Sequence, residues 1–286
     1  MIALEGLDFN ITIVGLGLIG GSYAMALKEL KPKNLWAVDV DENALNTALN
    51  MKIIDKGYKE AEIPLKKSDI VIIALYPKLT LDFVKKHIKD FKSGAIITDV
   101  GGIKEEIVNN INSFIPEDLD FIGGHPMAGR EKQGLNYASK DIFKGASYIF
   151  TPVERNKEEN IQLLERIVKS MGCKATVRID PKHHDEVIAF TSHLPHILAV
   201  ALVNSDLLGV ETSLFAAGSF KDSTRVAQIN ADLWTELLTS NRDNIINKLE
   251  IFEENIKILK NAIAENNCSL IKSEFEKAHL RRKEIV

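Results

Sequence analysis

His125 is the residue best placed to do chemistry. It sits in Gly123-Gly124-His125-Pro126-Met127-Ala128-Gly129-Arg130, directly after a short apolar run from Leu119 to Ile122. An imidazole titrates near neutrality and can take a proton from a reacting hydroxyl, which is general-base work. The flanking glycines predict a tight turn that brings backbone close to a ligand, with Pro126 stiffening it. This pattern is read as a loop that displays the histidine. A histidine that merely satisfies backbone groups in a turn is the alternative, and the surrounding elements must choose between the two.

The first of those elements is a strand, a glycine turn and a helix. Ile11-Thr12-Ile13-Val14 enters Gly15-Leu16-Gly17-Leu18-Ile19-Gly20-Gly21, and an apolar helical stretch runs from Ser22 to Leu30. In a dinucleotide-binding unit the first glycine makes the turn, the second admits the pyrophosphate and the third lets helix pack on strand. Gly15, Gly17 and Gly20 take those places, and the backbone of Leu18 and Ile19 opens a helix whose free N–H groups face the phosphates. The next apolar strand, Asn34 to Val38, ends at Asp39, where a ribose-binding carboxylate belongs. Asp39, Asp41 and Glu42, with no arginine following, favour NAD over NADP. Asp39 could instead cap a helix.

The alternation continues through Asp69–Leu75, a continuous apolar run expected of a parallel strand covered on both faces. A helix from Leu79 to Phe91 leads to Ala95-Ile96-Ile97-Thr98-Asp99, and the turn Asp99-Val100-Gly101-Gly102 opens another helix. Ligands bind at such turns, on the carboxyl edge of the strands. Asp99 is therefore assigned to the cofactor, and the His125 segment falls on the same edge. Runs at 147–151 and 174–179 flank a helix from about Lys157 to Met171, and Asp180-Pro181 then punctuates the chain. The expected architecture is an α/β Rossmann-type domain over 1–180, doubly wound around a mostly parallel sheet, followed by an all-α domain over 181–286.

In the second part a helical stretch from Lys182 to about Leu208 carries His183, His184, His193 and His196, with Pro195 expected to kink it. His193 and His196 share a helical face. Interior histidines are the plain reading, and no further ligands at zinc spacing accompany them, so no metal is expected. Arg225, in Gly218-Ser219-Phe220-Lys221-Asp222-Ser223-Thr224-Arg225, can hold a carboxylate in two parallel hydrogen bonds, or form an ion pair. Ile245, Leu249, Phe252, Ile256, Leu259 and Ile263 recur at four- and three-residue steps, a seam that predicts homodimerisation through this helix. The alternative is that the seam packs inside its own domain. Arg281-Arg282-Lys283 reads as a solvated tail.

Composition narrows the partners. The 286 residues hold 36 Lys+Arg against 40 Asp+Glu, a formal charge of −4, so no basic footprint for nucleic acid is present. Cys173 and Cys268 are far apart and show neither metal-ligand spacing nor a redox pair, and no signal peptide or membrane-length apolar run is expected. A cytoplasmic enzyme acting on a small molecule fits these features.

Five segments together carry a resemblance: the glycine turn with Asp39, Asp99-Val100-Gly101, Gly124-His125-Pro126-Met127-Ala128-Gly129, Thr191-Ser192-His193-Leu194-Pro195-His196, and Asp222-Ser223-Thr224-Arg225. Nearly the whole chain resembles the prephenate dehydrogenase family, which includes the arogenate and cyclohexadienyl dehydrogenases of tyrosine biosynthesis. The resemblance implies NAD-dependent oxidative decarboxylation of prephenate to 4-hydroxyphenylpyruvate. His125 would be the base and Arg225 a carboxylate clamp. His196 would touch the other carboxylate or support the pocket, and Trp234 would wall it. Gly102 stands where the family commonly has serine, so a hydroxyl beside the substrate is missing. A fused chorismate mutase and a regulatory ACT domain are both expected to be absent.

Two rivals remain. A 3-hydroxyacid dehydrogenase would place a lysine on the first long helix of the second domain, and none occurs from His183 to Phe220. A catalytically silent, dimeric NAD-sensing module would not require His125 and Arg225 to converge on one cleft.

Overall fold

A computed structural model describes residues 7–130 and 132–285. Eight strands form one sheet: β1 (Leu7–Val14), β2 (Pro32–Val38), β3 (Lys56–Tyr58), β4 (Ile70–Ile73), β5 (Ile96–Asp99), β6 (Asp120–Pro126), β7 (Ser147–Thr151) and β8 (Ala175–Arg178). Their spatial order is β3-β2-β1-β4-β5-β6-β7-β8, and every neighbouring pair is parallel except β6 and β7. The order reverses at β1, and ligands of open α/β sheets bind outside the strand ends beside such a reversal. The apolar strand runs read in the sequence are buried here, Ile70 to Ile73 entirely.

Six helices cover the two faces: α1 (Leu18–Glu29), α2 (Glu42–Asn50), α3 (Glu62–Leu65), α4 (Pro77–Lys86), α5 (Glu105–Phe114) and α6 (Glu158–Ser170). One core cluster joins Tyr23 and Leu27 of α1 with Leu164 and Val168 of α6; another joins Val84 of α4 with Ile107, Val108 and Ile111 of α5. Strand β3 was not foreseen. It is three residues long, and Leu45 packs so closely over Gly57 that a β-carbon there would lie 2.9 Å from Leu45 Cδ2.

A larger correction concerns His125. It lies not in a loop but inside strand β6, paired with Ile149 of β7. The preceding glycines serve close packing rather than a turn. A β-carbon on Gly123 would meet Thr151 Oγ1 at 2.3 Å, and one on Gly124 would meet Asp99 O at 2.7 Å. Only residues without side chains let β6 run this close to its neighbours.

The remainder is helical: α7 (Pro181–Ile188), a π turn (Ala189–His193), α8 (Leu194–Asn204), α9 (Val210–Phe215), α10 (Gly218–Thr224), a 3₁₀ turn (Arg225–Ala227), α11 (Ala231–Ser240), α12 (Arg242–Ala264) and α13 (Cys268–Ile285). Where a kink was expected at Pro195, a π turn lies just before it and the helical run continues through it; the wider turn accommodates a residue that has no N–H to donate. Arg281, Arg282 and Lys283 are not a tail but belong to α13.

Residues 181–204 form one helical run that is long and apolar enough to cross a membrane by length and composition, contrary to the sequence reading. Its charged and imidazole residues interrupt the apolar pattern, which hides its length in the sequence. The helix packs instead against α5, α12 and the 3₁₀ turn. Of the α12 seam, Ile245 is buried, Leu249, Phe252 and Leu259 are half-buried, and Ile256 and Ile263 are exposed.

Candidate active site

The glycine turn is shaped by contacts that side chains would break. Gly15 has φ of 92°, and a β-carbon there would strike Ala74 O at 2.6 Å. A β-carbon on Gly20 would come within 1.8 Å of Gly15 O, so α1 and the turn can meet only at glycine. Gly17 differs: its missing side chain would meet nothing within 4 Å, which leaves the space above the turn clear. Gly17 is also the N-cap of α1, with no side chain bonded to the first N–H groups of Leu18, Ile19 and their neighbours. An uncapped helix start with a positive dipole end and open space above it suits a phosphate.

Asp39 closes the turn from below. Its Oδ2 accepts from the Leu16 N–H at 2.6 Å and its Oδ1 from the Asp41 N–H at 2.8 Å. The helix cap considered for it is made by Asp41, which accepts from the Asn43 N–H at the start of α2. Asp39 thus remains at the end of β2, beside the glycine turn and partly exposed.

Asp99 is buried at the end of β5. Its side chain is 1 % exposed and its carboxylate is engaged inside the protein, with the Lys104 ammonium, the Gly101 N–H at 2.8 Å and the Gly124 N–H at 3.2 Å. Both of its carboxylate oxygens accept hydrogen bonds from within the protein. Its physical role is to tie the β5 turn to the residue preceding His125. Lys104 is fully buried, and removing either partner of such a pair costs about 3–5 kcal/mol because a lone charge stays behind.

His125 heads a chain of hydrogen bonds that the sequence did not reveal. Its Nδ1 lies 2.9 Å from Nε2 of His184, and His184 Nδ1 lies 2.6 Å from Asp185 Oδ1. Asp185 accepts in turn from the backbone N–H groups of Lys104 and Glu105, each at 2.8 Å. It therefore caps α5, whose own N-cap residue supplies no side-chain bond. Protons along this chain are assigned by chemistry. A carboxylate can only accept, so His184 Nδ1 carries the proton and its Nε2 accepts. His125 Nδ1 must then donate, which leaves the lone pair on Nε2.

That lone pair faces Gly102, where a β-carbon would lie 3.9 Å from His125 Nε2 and 3.6 Å from Leu237. Burial, reinforced by His184, Lys104 and His193, holds the His125 pKa well below the usual histidine range. The ring is neutral at pH 7 and ready to accept.

Helix α11 forms the facing wall. Trp234 stacks on His196 with ring centres 3.9 Å apart and meets His193 edge-on at 5.9 Å. His196 Nδ1 is 2.8 Å from Ser192 O. His193 is buried, with its Nδ1 3.3 Å from the side-chain nitrogen of Asn241, which also donates to Asp185 O. Burial depresses its pKa to about 4.

The π turn brings these groups round. At about 100° per residue, an unbroken α-helix would set His196 roughly 120° from His184, twelve residues earlier. One extra residue in the turn reduces this to roughly 20°. Glu236 of α11 caps α4 through the Lys78 N–H, and Asn230 donates to the Tyr76 hydroxyl at 2.7 Å. Helical-domain carboxylates thus occupy the starts of both α4 and α5.

Arg225 opens the 3₁₀ turn that packs on α8, the helix carrying His196, and is exposed. His184, Asp185 and Lys104 escaped the sequence reading because their roles rest on contacts between distant segments. Away from this region, Glu62, His87 and Asp90 bring ligand atoms within 4.8 Å of one another. His87 is already bonded to Asp90 at 2.9 Å, and the Lys66 ammonium lies 3.8 Å from that carboxylate, so the group is an ion-pair cluster.

Residues 23–177 match the model of the prephenate dehydrogenase nucleotide-binding domain, and residues 180–276 that of the prephenate dehydrogenase dimerization domain. A prephenate dehydrogenase of Lactococcus lactis subsp. cremoris is 36% identical over 279 residues, covering 93% of this chain and 75% of the relative. The crystal structure of prephenate dehydrogenase from A. aeolicus with hydroxyphenyl propionate and NAD+ superposes with a TM-score of 0.87 at 27% identity, over 96% of this chain and 98% of that one. Synechocystis arogenate dehydrogenase does so with a TM-score of 0.82 at 26% identity, over 96% and 99%. With both of its halves matched, the chain belongs to the prephenate dehydrogenase family.

Proposed function

We propose that this enzyme converts prephenate to 4-hydroxyphenylpyruvate and carbon dioxide with reduction of NAD, a step of tyrosine biosynthesis. The observation that carries the reading is the bare Nε2 of His125, held by His184 and Asp185 and open toward Gly102. Gly15, Gly17, Leu18, Ile19, Gly20 and Asp39 would hold NAD, which would supply the hydride acceptor. His125 takes the hydroxyl proton of the substrate as hydride leaves the carbon bearing that hydroxyl. The ring carboxylate departs as carbon dioxide, its electron pair completes the aromatic ring, and His125 returns the proton to the phenolic oxygen. Neutrality of His125 is the requirement for this step, and burial beside Lys104 maintains it.

Arg225 and His196 take the substrate carboxylates in this reading, Trp234 walls the ring, and Gly102 leaves room beside the hydroxyl. Neither α4 nor α5 offers its N-terminus to those carboxylates, since Glu236 and Asp185 already cap them. Residues 1–180 would bind the nucleotide and 181–286 the substrate, with the enzyme a cytoplasmic homodimer formed through the C-terminal helices, α12 included. The two free cysteines agree with a reducing compartment.

The test is NADH formation by purified enzyme with NAD and prephenate, run beside arogenate and NADP and beside His125→Asn. Turnover of prephenate that falls about a hundredfold or more in the variant supports the reading. Turnover of arogenate alone keeps the mechanism and changes the substrate. Tight NAD binding with no turnover of either compound overturns it in favour of a silent NAD-sensing module.

A further inference from the structure

Asn241 does more than join two helices. It is buried where α11 meets α12, and both ends of its amide are engaged. Its Oδ1 accepts from the Asn244 side chain at 2.8 Å, and its Nδ2 donates to Asp185 O at 2.8 Å. A backbone carbonyl can only accept, so the amide has one orientation, with its nitrogen toward Asp185 and its oxygen toward Asn244. The second Nδ2 proton goes to His193 Nδ1 at 3.3 Å.

His193 therefore accepts at Nδ1, and its neutral ring carries the proton on Nε2. Burial keeps the ring neutral, with a pKa of about 4. This is the reverse of His125, whose Nδ1 donates and whose Nε2 is bare. Nε2 of His193 lies across the ring from Nδ1 and so faces away from Asn241. Among the described residues no oxygen or nitrogen takes its proton. The ring is 1 % exposed, meets Trp234 edge-on at 5.9 Å and is near enough for its charge to be felt at His125. A buried donor without an acceptor is costly, and an oxygen of a bound substrate would relieve that cost.

We propose that His193 is a substrate-binding residue whose Nε2–H donates to a carboxylate oxygen of the substrate, and that Asn241 is the positioning residue that sets its tautomer. The inference rests on the reading of this cleft as the prephenate site. Prephenate brings two carboxylates, and the exposed Arg225 is suited to only one of them. A neutral donor orients a carboxylate without the hold of a cation. That matters where one carboxylate must depart as carbon dioxide, because an interaction that stabilises only the ground state slows the step.

The experiment uses the full-length enzyme and two readouts. Long-range proton–nitrogen NMR of the histidine rings, with His193 assigned by its loss in His193→Gln, is expected to show the proton on Nε2 in the wild type and on Nδ1 in Asn241→Asp. A wild-type ring protonated on Nδ1 overturns the role of Asn241. In kinetics, His193→Phe should raise the KM for prephenate roughly tenfold, the loss of one hydrogen bond to a charged group, and His193→Gln, which keeps an N–H donor, should recover most of it. Asn241→Asp should raise KM similarly in the wild-type background and by less than about twofold in the His193→Gln background. NAD affinity, measured on every variant, checks folding. Equal effects of Asn241→Asp in both backgrounds overturn the coupling, and His193→Phe with the wild-type KM shows that the N–H serves water or the Trp234 face and overturns the contact with substrate. Should the wild type turn over neither prephenate nor arogenate, the reading of the site fails and the donor's target with it, while the spectra still decide the tautomer.

Discussion

His125 Nδ1 and His184 Nε2 lie 2.9 Å apart although fifty-nine residues separate them in sequence, and this contact sets which nitrogen of His125 can act. With His184→Ala, His125 loses the acceptor that orients it and can adopt the other tautomer. A fall in kcat of about ten- to a hundredfold is expected, with NAD affinity unchanged. Steady-state kinetics with an independent NAD titration checks this; an unaltered kcat would remove the relay from the mechanism.

The pH profile follows from the depressed pKa of His125. Its acid limb in kcat/KM should fall below the ordinary histidine value of about 6.5. Replacing the buried pair by Lys104→Met with Asp99→Asn removes one positive neighbour while keeping one acceptor, for either the Gly101 or the Gly124 amide. The limb should then move up in pH, and only part of the way, because burial is the larger cause.

Asp185 joins two tasks, so Asp185→Asn should show two losses. Weakening the cap on α5 is expected to lower stability by about 1–2 kcal/mol. Loss of the carboxylate that holds His184 should lower kcat as well. Thermal melts and kinetics on one preparation separate the effects, and Asp185→Glu should rescue neither fully.

His193 is buried and neutral, with a folded pKa of about 4 against an unfolded value of about 6.5. Between these values the unfolded chain binds the extra proton, so stability falls as pH drops from about 6.5 toward about 4. His193→Gln should flatten that slope. Melting temperatures at pH 7, 6 and 5 read it directly.

Gly102→Ser should fold normally, because the added β-carbon meets Leu237 and His125 only at ordinary contact distances. Its hydroxyl would enter the space beside Nε2, and kcat/KM for prephenate should change severalfold with stability within about 0.5 kcal/mol of wild type. A large loss of stability would show that the space is not open.

Local features of this protein were legible because local physics writes them into neighbouring residues. The turn from Gly15 to Gly20, the continuous apolar run of β4, and α6 with its ends at Lys157 and Met171 follow from backbone sterics, strand burial and helix periodicity. The same reasoning misplaced His125 in a loop, since glycines that admit a neighbouring strand look the same in sequence as glycines that turn a chain.

Contacts between segments lay beyond that reach. Asp185 meets the Lys104 amide across eighty-one residues, and the Lys104 side chain meets Asp99 inside the protein. The π turn rotates His196 toward His184, and one residue of register separates that arrangement from a helix facing elsewhere. Side-chain type and spacing announce a base, a clamp and a nucleotide turn. Which of them meet depends on how sheet and helices pack, because a hydrogen bond acts over a few ångströms of space and is indifferent to distance along the chain.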